Sequence, residues 1–435
     1  MLDLTIKNGS CFIDGNLKQQ DIGIKNGKII KIGKIIEDAK DTFDANNLIV
    51  LPGCIDTQTH FREPGSTDTE DLHSGSKAAI VGGITAVFEM PNTNPPTSNK
   101  KEFQRKLDLA KNRMYCNYAF YFGATADNAD DLANLQNLDG CCGIKLFAGS
   151  STGNLLVADE KDIEKVFKNS SKVVAVHSED EEILNINKKL IKNGDVHSHP
   201  IWRSVECAMS STRRIVRIAE KYNKKAHVLH VTTKEEVDFL SQHKGNITFE
   251  ITPQHLTIYA PDCYDKLGTY AQMNPPIRDK SHYDRLWYAV KKNLNDTIGS
   301  DHAPHLKKNK EKVYPHSPSG MPGVQTLMPV MLDHINAGKL SLNQLINFVC
   351  ENPVKIFGIK DKGFIKEKYD ADFTIVNMSK KITIKNENIE SKCKWSPFNN
   401  VELKGTPVAT IIAGKIKMKE GKILGEPDGN PLIFN

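Results

Sequence analysis

Four polar residues stand two apart in the segment DTQTHFREPG: Asp56, Gln58, His60 and Arg62. In an extended chain, residues two apart share a face, so a strand here would present an amide, an imidazole and a guanidinium together. Two neighbouring imidazoles on such a face are half of a metal site. Here the first is a glutamine, so the segment either binds metal with one ligand replaced or holds none. Further on, Asn92, His177, His230 and Asp301 each lie toward the C-terminal end of a short apolar run. A lone histidine carries little weight, but several imidazoles and a carboxylate converging on one place are suitable ligands for zinc or a similar divalent ion.

Three residues in these runs have more than one reading. Lys145 lies inside CGIKLFAG between Ile144 and Leu146, where an unpaired buried ammonium is costly. It needs an acidic partner, a path to the rim along its own stem, or carbamylation by CO₂, which would turn it into a carboxylate able to bridge two ions. In HVLH, His227 and His230 are three apart and are expected to face opposite sides of a strand, His230 as the ligand and His227 as a packed residue. Arg62 can grip a carboxylate bidentately or form a surface ion pair with Glu63 or Asp68.

These residues need a scaffold that brings strand ends together. Eight apolar runs recur along the chain: GCIDTQTH, GITAVFEMPN, NYAFYFGAT, CGIKLFAG, KVVAVHSED, KAHVLHVT, NITFEIT and DTIGSDHAPH. Helix-like stretches such as SNKKEFQRKLDLAKN, WRSVECAMSSTRRIVRIAEKYN and DKSHYDRLWYAVKKN separate them. Alternating strands and helices, with strands apolar on both faces, predict a parallel α/β fold, and eight units fit a closed (β/α)₈ TIM-like barrel. A doubly wound open sheet is the alternative. In a barrel the polar residues at the C-terminal strand ends share one rim. Residues 1–50 and 364–435 instead alternate apolar and polar positions with Asn-Gly and Asp-Gly turns (KNGS, IDGN, KNGK), which predicts a small β-domain formed from both ends around a barrel at 51–363.

Composition excludes several classes. The 435 residues are 39% hydrophobic and 26% charged, and no run approaches the roughly 18 apolar residues of a membrane span. A net charge of +5, spread without aromatic interleaving, gives no case for nucleic-acid binding. The run KKNKEK at 307–312 reads as a solvated loop. Nine cysteines without a C-x-x-C pair read as reduced thiols, and MLDLTIKNGSCFIDG reads as a first strand and not a signal peptide, so a cytoplasmic protein is expected.

The ordered set DTQTHFREPG, FEMPNTNP, GIKLFAGSSTG, AVHSEDE, HVLHVTTKEE, MNPPIRD, DTIGSDHAPH, SPSGMPGVQT and ENPVKIFGI, with DADFTIVN near the C-terminus, resembles the dihydroorotase branch of the amidohydrolase superfamily over essentially the whole chain. The resemblance implies a metal-dependent barrel with a flanking β-domain. It also implies a zinc centre of one or two ions and the reversible cyclisation of N-carbamoyl-L-aspartate to L-dihydroorotate in pyrimidine synthesis. By position, His60, Lys145, His177, His230 and Asp301 match metal ligands, with Lys145 at the position that many relatives carbamylate. Arg62, Asn92 and His305 match residues that hold the substrate carboxylate, and Asn274 one that contacts the ring.

The departure is Gln58, where the family pattern D-x-H-x-H-x-R has its first histidine. A neutral amide is a weaker donor to zinc than imidazole, so one of two metal positions is expected to be weakened. Gln254 in TPQHL is a second departure, away from the ligand positions. The implied chemistry has water activated at the metal attack the ring amide carbon, with Asp301 carrying the proton in both directions. The implied partner is a small-molecule substrate, not nucleic acid or membrane. A homodimer is expected, with aspartate transcarbamoylase as a candidate partner. Two other readings stay open: a hydantoinase- or allantoinase-type cyclic amidohydrolase, and a catalytically silent partner of aspartate transcarbamoylase.

Overall fold

The computed structural model describes residues 1–151, 153 and 155–435. Eight parallel strands follow one another in sequence order around a barrel: β1 (Cys54–Thr59), β2 (Ile84–Glu89), β3 (Asn117–Gly123), β4 (Cys141–Phe147), β5 (Val174–His177), β6 (Ala226–Val228), β7 (Ile247–Ile251) and β8 (Thr297–Ile298). The predicted α/β barrel is borne out. β8 is only two residues long, and closure falls to the chain just beyond it. There the His60 amide donates to the His302 carbonyl at 2.7 Å, the His302 amide reaches the Gln58 carbonyl at 3.3 Å, and the Ser300 amide donates to the Asp56 carboxylate at 2.9 Å.

Every strand residue from β1 to β6 is buried, as strands covered on both sides require. Ile144, Leu146, Val174 and Val176 pack in the large core beneath the helices. Alternation therefore turns Lys145 and His177 toward the barrel interior. Lower in the barrel, Phe357 packs edge-on against Phe88 of β2, Tyr121 of β3 and His227 of β6, so the interior is a packed plug below the rim. The helix-like stretches of the sequence form helices Lys100–Ala110, Val205–Lys221 and Lys280–Lys291, the first capped by Asn99 and the second by Ser204.

The terminal segments build a separate sheet of nine strands. Ile49–Pro52 lies parallel to Leu2–Ile13 and antiparallel to Phe373–Thr383, with Val50 opposite Ile375, and so joins the two ends of the chain. The Asp14-Gly15 and Asn26-Gly27 pairs make two-residue hairpin turns with positive φ at both positions, as the sequence suggests. KNGS does not make a turn. It lies inside the strand Leu2–Ile13, where Asn8 has φ +61° and the register against Asn16–Lys25 shifts between Ile6 and Gly9, a bulge. KKNKEK is likewise corrected: residues Lys307–Lys310 are a short helix, and Lys310 is buried. No helix among the described residues is long and apolar enough to cross a membrane.

A fully buried ion pair ties the helical layer to the rim. Lys106, on the helix after β2, meets Glu89 at the end of β2 and donates to the Met90 carbonyl at 2.8 Å. Glu89 also accepts from the Phe61 amide, between His60 and Arg62, at 3.2 Å. Removing one member of such a pair strands the other charge. Lys106→Ala is therefore expected to lower stability by about 3–5 kcal/mol in chemical denaturation, and a loss below about 1 kcal/mol would contradict this reading.

Candidate active site

Gln58, His60, Arg62, Asn92, Lys145, His177, His230, Asn274 and Asp301 all line one cavity at the C-terminal rim, with Phe147, Ser151, Ala303, Ser319 and Gly320. The cavity is about 20 Å³, room for one or two water-sized bodies. An adjoining cavity of about 400 Å³ shares Arg62 and Asn92 and adds Ser66, Thr69, Thr93, Asn94, Gly153 and His305. His305 thus faces the outer space and the other candidates the inner one. A cavity of about 600 Å³ at the junction with the terminal sheet, lined by Phe12, Pro52, Glu351 and Phe364 among others, shares no residue with either.

Three of the site residues hold left-handed backbone: Arg62 (φ +61°), His230 (φ +39°) and Asp301 (φ +44°). Such conformations are unfavourable for side chains of this kind and persist where the surroundings impose them. They also explain why strict alternation misplaces one histidine. β6 ends at Val228, so His230 lies beyond the strand and its turned backbone brings it to the rim. His227 faces the interior as well, one layer lower, where its nitrogens meet the Thr248 hydroxyl at 2.8 Å and the Thr297 hydroxyl at 3.2 Å.

The donor atoms come as two facing pairs. His177 Nε2 donates to Glu179 at 2.8 Å, which leaves Nδ1 as a lone pair 3.1 Å from His230 Nε2. The other His230 nitrogen is buried without a hydrogen-bond partner. His60 Nδ1 is engaged by the Asn92 side-chain oxygen at 2.8 Å, so its Nε2 presents a lone pair to the Asp301 carboxylate at 3.3 Å. Burial holds all three imidazoles below their usual pKa, and for His60 the nearby Arg62 and Lys145 charges add to this, which keeps the rings neutral. Burial likewise pushes the Asp301 carboxyl up and the Lys145 amine down, while each opposes the other's shift. Among the described residues no three histidine, cysteine or acidic groups gather as one metal cluster. Lys145 is the group common to both pairs: its charge acts on His60, His177, His230 and Asp301, and its ammonium lies 4.5 Å from the centre of the Phe147 ring.

Gln58 turns its amide nitrogen to the Asp301 carboxylate at 2.9 Å, and its buried oxygen has no hydrogen-bond partner. Arg62 is buried, and burial brings its pKa down to about 10, so it stays charged. Its Nε donates to the Pro304 carbonyl at 3.3 Å, and Nη2 lies 3.4 Å from His305 Nε2. The surface ion pair with Glu63 or Asp68 considered from sequence does not form: Arg62 is buried, and Glu63 pairs with Arg113 at 2.8 Å. No carboxylate pairs with Arg62 among the described residues. Asn274 is held through its side-chain oxygen by His199 at 3.0 Å. Gln254, left without a role by the sequence, donates to the Ser300 carbonyl at 2.8 Å beside the barrel closure.

A match to the amidohydrolase family model spans residues 49–417. The chain belongs to the amidohydrolase family. It is 34% identical over 431 residues to a dihydroorotase of Pyrococcus furiosus, covering 98% of this chain and 96% of that one. It is 33% identical over 444 residues to a dihydroorotase of Methanosarcina acetivorans, covering 98% and 94%. Among solved structures, an L-hydantoinase (dihydropyrimidinase) from Arthrobacter aurescens superposes with a TM-score of 0.95 at 28% identity, over 99% of both chains. With these relatives, this amidohydrolase is a hydrolase acting on cyclic amides.

Sequence reading did not find the supports behind these side chains. Glu179 is clamped by Arg203, which also donates to the Ser150 carbonyl at 2.7 Å. Burial alone would raise the Glu179 pKa, but Arg203 and His177 outweigh it and bring the carboxyl down to about 2, from an ordinary 4.5. A group depressed in this way stabilises the fold above its unfolded pKa and loses that contribution as pH falls toward the folded value. Glu179→Gln is expected to be less stable than the native chain by on the order of 3 kcal/mol at pH 7, with the difference shrinking below about pH 4.5. Denaturation at pH 7 and pH 3.5 measures it, and a pH-independent difference would contradict the assignment.

Proposed function

We propose that the chain is a dihydroorotase, catalysing the reversible ring closure of N-carbamoyl-L-aspartate to L-dihydroorotate. The observation that carries this reading is Arg62: a buried, charged guanidinium that faces both cavities and has no carboxylate partner among the described residues. Leaving such a group without an anion is costly, and the carboxylate of the substrate would supply one in bidentate geometry. Asn92 and His305 border the same space and would complete the grip, while Asn274, on the inner cavity and held by His199, would contact the ring.

The donor set fits a divalent ion. Two nitrogens each bound at 2.0–2.1 Å to a tetrahedral zinc lie about 3.3 Å apart, close to the 3.1 Å between His177 and His230. Glu179 behind His177 is the carboxylate that commonly orients a metal-bound imidazole. Lys145, His177 and His230 would hold one ion, and His60, Asp301 and a carbamylated Lys145 a second. Burial favours the neutral amine of Lys145, the form that adds to CO₂ with loss of a proton. Gln58 presents a donor, not a lone pair, toward Asp301, so the second position is the weaker. A bound ion would supply Lewis acidity to the ring carbonyl and to water. Asp301, with a raised pKa and a hydrogen bond from Gln58, takes the proton of the attacking water and returns it to the leaving nitrogen, and does the reverse in ring closure. The outer cavity has room for the substrate, which would present its reacting amide to the mouth of the small inner one.

The hydantoinase reading is favoured by the structural likeness to the Arthrobacter protein, and an uncharged hydantoin would leave Arg62 without a partner. Nine buried, unpaired cysteines fit a reducing compartment, and we place the protein in the cytoplasm. The deciding experiment compares Arg62→Met with the native enzyme on dihydroorotate and on hydantoin. The variant is expected to lose roughly 100-fold or more in kcat/KM for dihydroorotate, the effect of removing one partner of a buried charge pair, and little for hydantoin. Equal losses on both, or faster native turnover of hydantoin, would reject the dihydroorotase reading.

A further inference from the structure

Lys310 is a buried cation that no carboxylate neutralises among the described residues. It lies in the lysine-rich run after β8, yet it is fully buried while Lys307 and Lys308 are exposed. Its ammonium donates to three backbone carbonyls: Gln272 at 3.0 Å, Pro318 at 2.8 Å and Gly320 at 3.1 Å. Trp395 covers it, with the ammonium 5.8 Å from the ring centre. Three acceptors at these distances use three N–H groups, which only the charged form has. Burial by itself pulls the lysine down to about 7, and the three carbonyls oppose that shift because they bind the ammonium.

The carbonyls belong to two segments that form one wall of the active site. Gln272 precedes Asn274 by two residues, and its carbonyl also accepts from the Gly320 amide at 2.9 Å. Ser319 and Gly320 line the inner cavity, and the Ser319 carbonyl holds the His305 ring at 2.9 Å. Trp395 donates to the His305 carbonyl at 2.7 Å. The Lys310 charge is felt at His305, where it adds to the effects of burial and Arg62. Lys310 therefore stands behind the wall that faces the proposed carboxylate grip, and Arg62 stands within it.

We propose that Lys310 is a specificity-determining residue: its ammonium pins the 272–274 and 317–320 segments together, and its unneutralised charge favours ring substrates that carry a carboxylate over neutral ones. Carbonyl dipoles satisfy its hydrogen bonds without cancelling its charge, so an anion entering beside Arg62 and His305 supplies the missing compensation. Lys310 need not touch the substrate to do this, and it is a positioning residue with an electrostatic effect. The inference rests on the dihydroorotase reading, which makes the substrate an anion.

The test measures kcat and KM for dihydroorotate and for neutral 5,6-dihydrouracil in the native enzyme, K310M and K310R, with K310Q replacing K310M if the latter does not fold. Native preference for dihydroorotate tests the dihydroorotase reading on its own, and its absence would reject that reading. Given that preference, K310M is expected to raise KM for dihydroorotate roughly tenfold more than KM for dihydrouracil, over and above any loss that the unpinned wall costs both substrates alike. K310R should recover most of the loss. A purely structural pin would depress both substrates alike and chiefly in kcat, and that outcome, or an unchanged preference in K310M, overturns the inference.

Discussion

Uncompensated charge at the rim of the barrel is the constraint around which the rest of the site is arranged. Lys145 projects from β4 into an interior where its charge acts on three neutral imidazoles and on Asp301. His177 Nδ1 meets His230 Nε2 at 3.1 Å, and His60 Nε2 turns a lone pair to the Asp301 carboxylate at 3.3 Å. Asp301 and Glu250 partly offset the Lys145 charge, whereas Arg62 and Lys310 are buried cations without carboxylate partners among the described residues. Buried charge of this kind is costly, and on the proposed reading a cation among the imidazoles and an anion beside the guanidinium would offset it. On the proposed reading, a metal ion and an anionic substrate would answer two sides of one electrostatic arrangement.

Holding such groups in place calls for supports that are themselves fully compensated. Glu179 and Arg203 fix His177 and reach the segment after β4 through Ser150. Glu89 and Lys106 fix the backbone between His60 and Arg62. His302 receives the amides of Gly323 and Val324 on one ring nitrogen and meets Glu70 with the other at 3.3 Å, while its backbone closes the barrel against Gln58 and His60. Glu70 is bonded in turn by Ser74 and Ser391, which ties this closure to the chain leading into the terminal sheet. These paired charges stand behind the cavity, and Arg62, which has no carboxylate partner among the described residues, lines it.

The eight strands were legible because strands covered on both faces must be continuously apolar, and the polar residue ending each run then marks the rim. β8, with two residues, is legible through Asp301 and His302 more than through its own length. Alternation failed where the backbone leaves the strand region: His230 reaches the rim through a left-handed turn, which no period-two pattern describes. Asn8-Gly9 looked like a hairpin because the dipeptide is the same in a turn and in a bulge, and only the partner strand distinguishes them. Lys310 was hidden by exposed lysines of the same type, and its burial is decided by carbonyls 38 and 10 residues away. The Glu179–Arg203 pair spans 24 residues and leaves no local pattern.

Gln58 stands where the resemblance leads one to expect a histidine, and there the structure puts a donor against Asp301 in place of a lone pair. We infer that two donor pairs sharing Lys145 form a metal centre with one strong and one weak position. Metal content per chain, measured by elemental analysis after dialysis against low zinc alongside turnover of dihydroorotate, tests it directly. Close to one ion should be retained per chain with turnover present, and a second ion taken up only as zinc is raised. Two tightly held ions would contradict the weakened position, and turnover by protein stripped of all metal would contradict the metal centre itself.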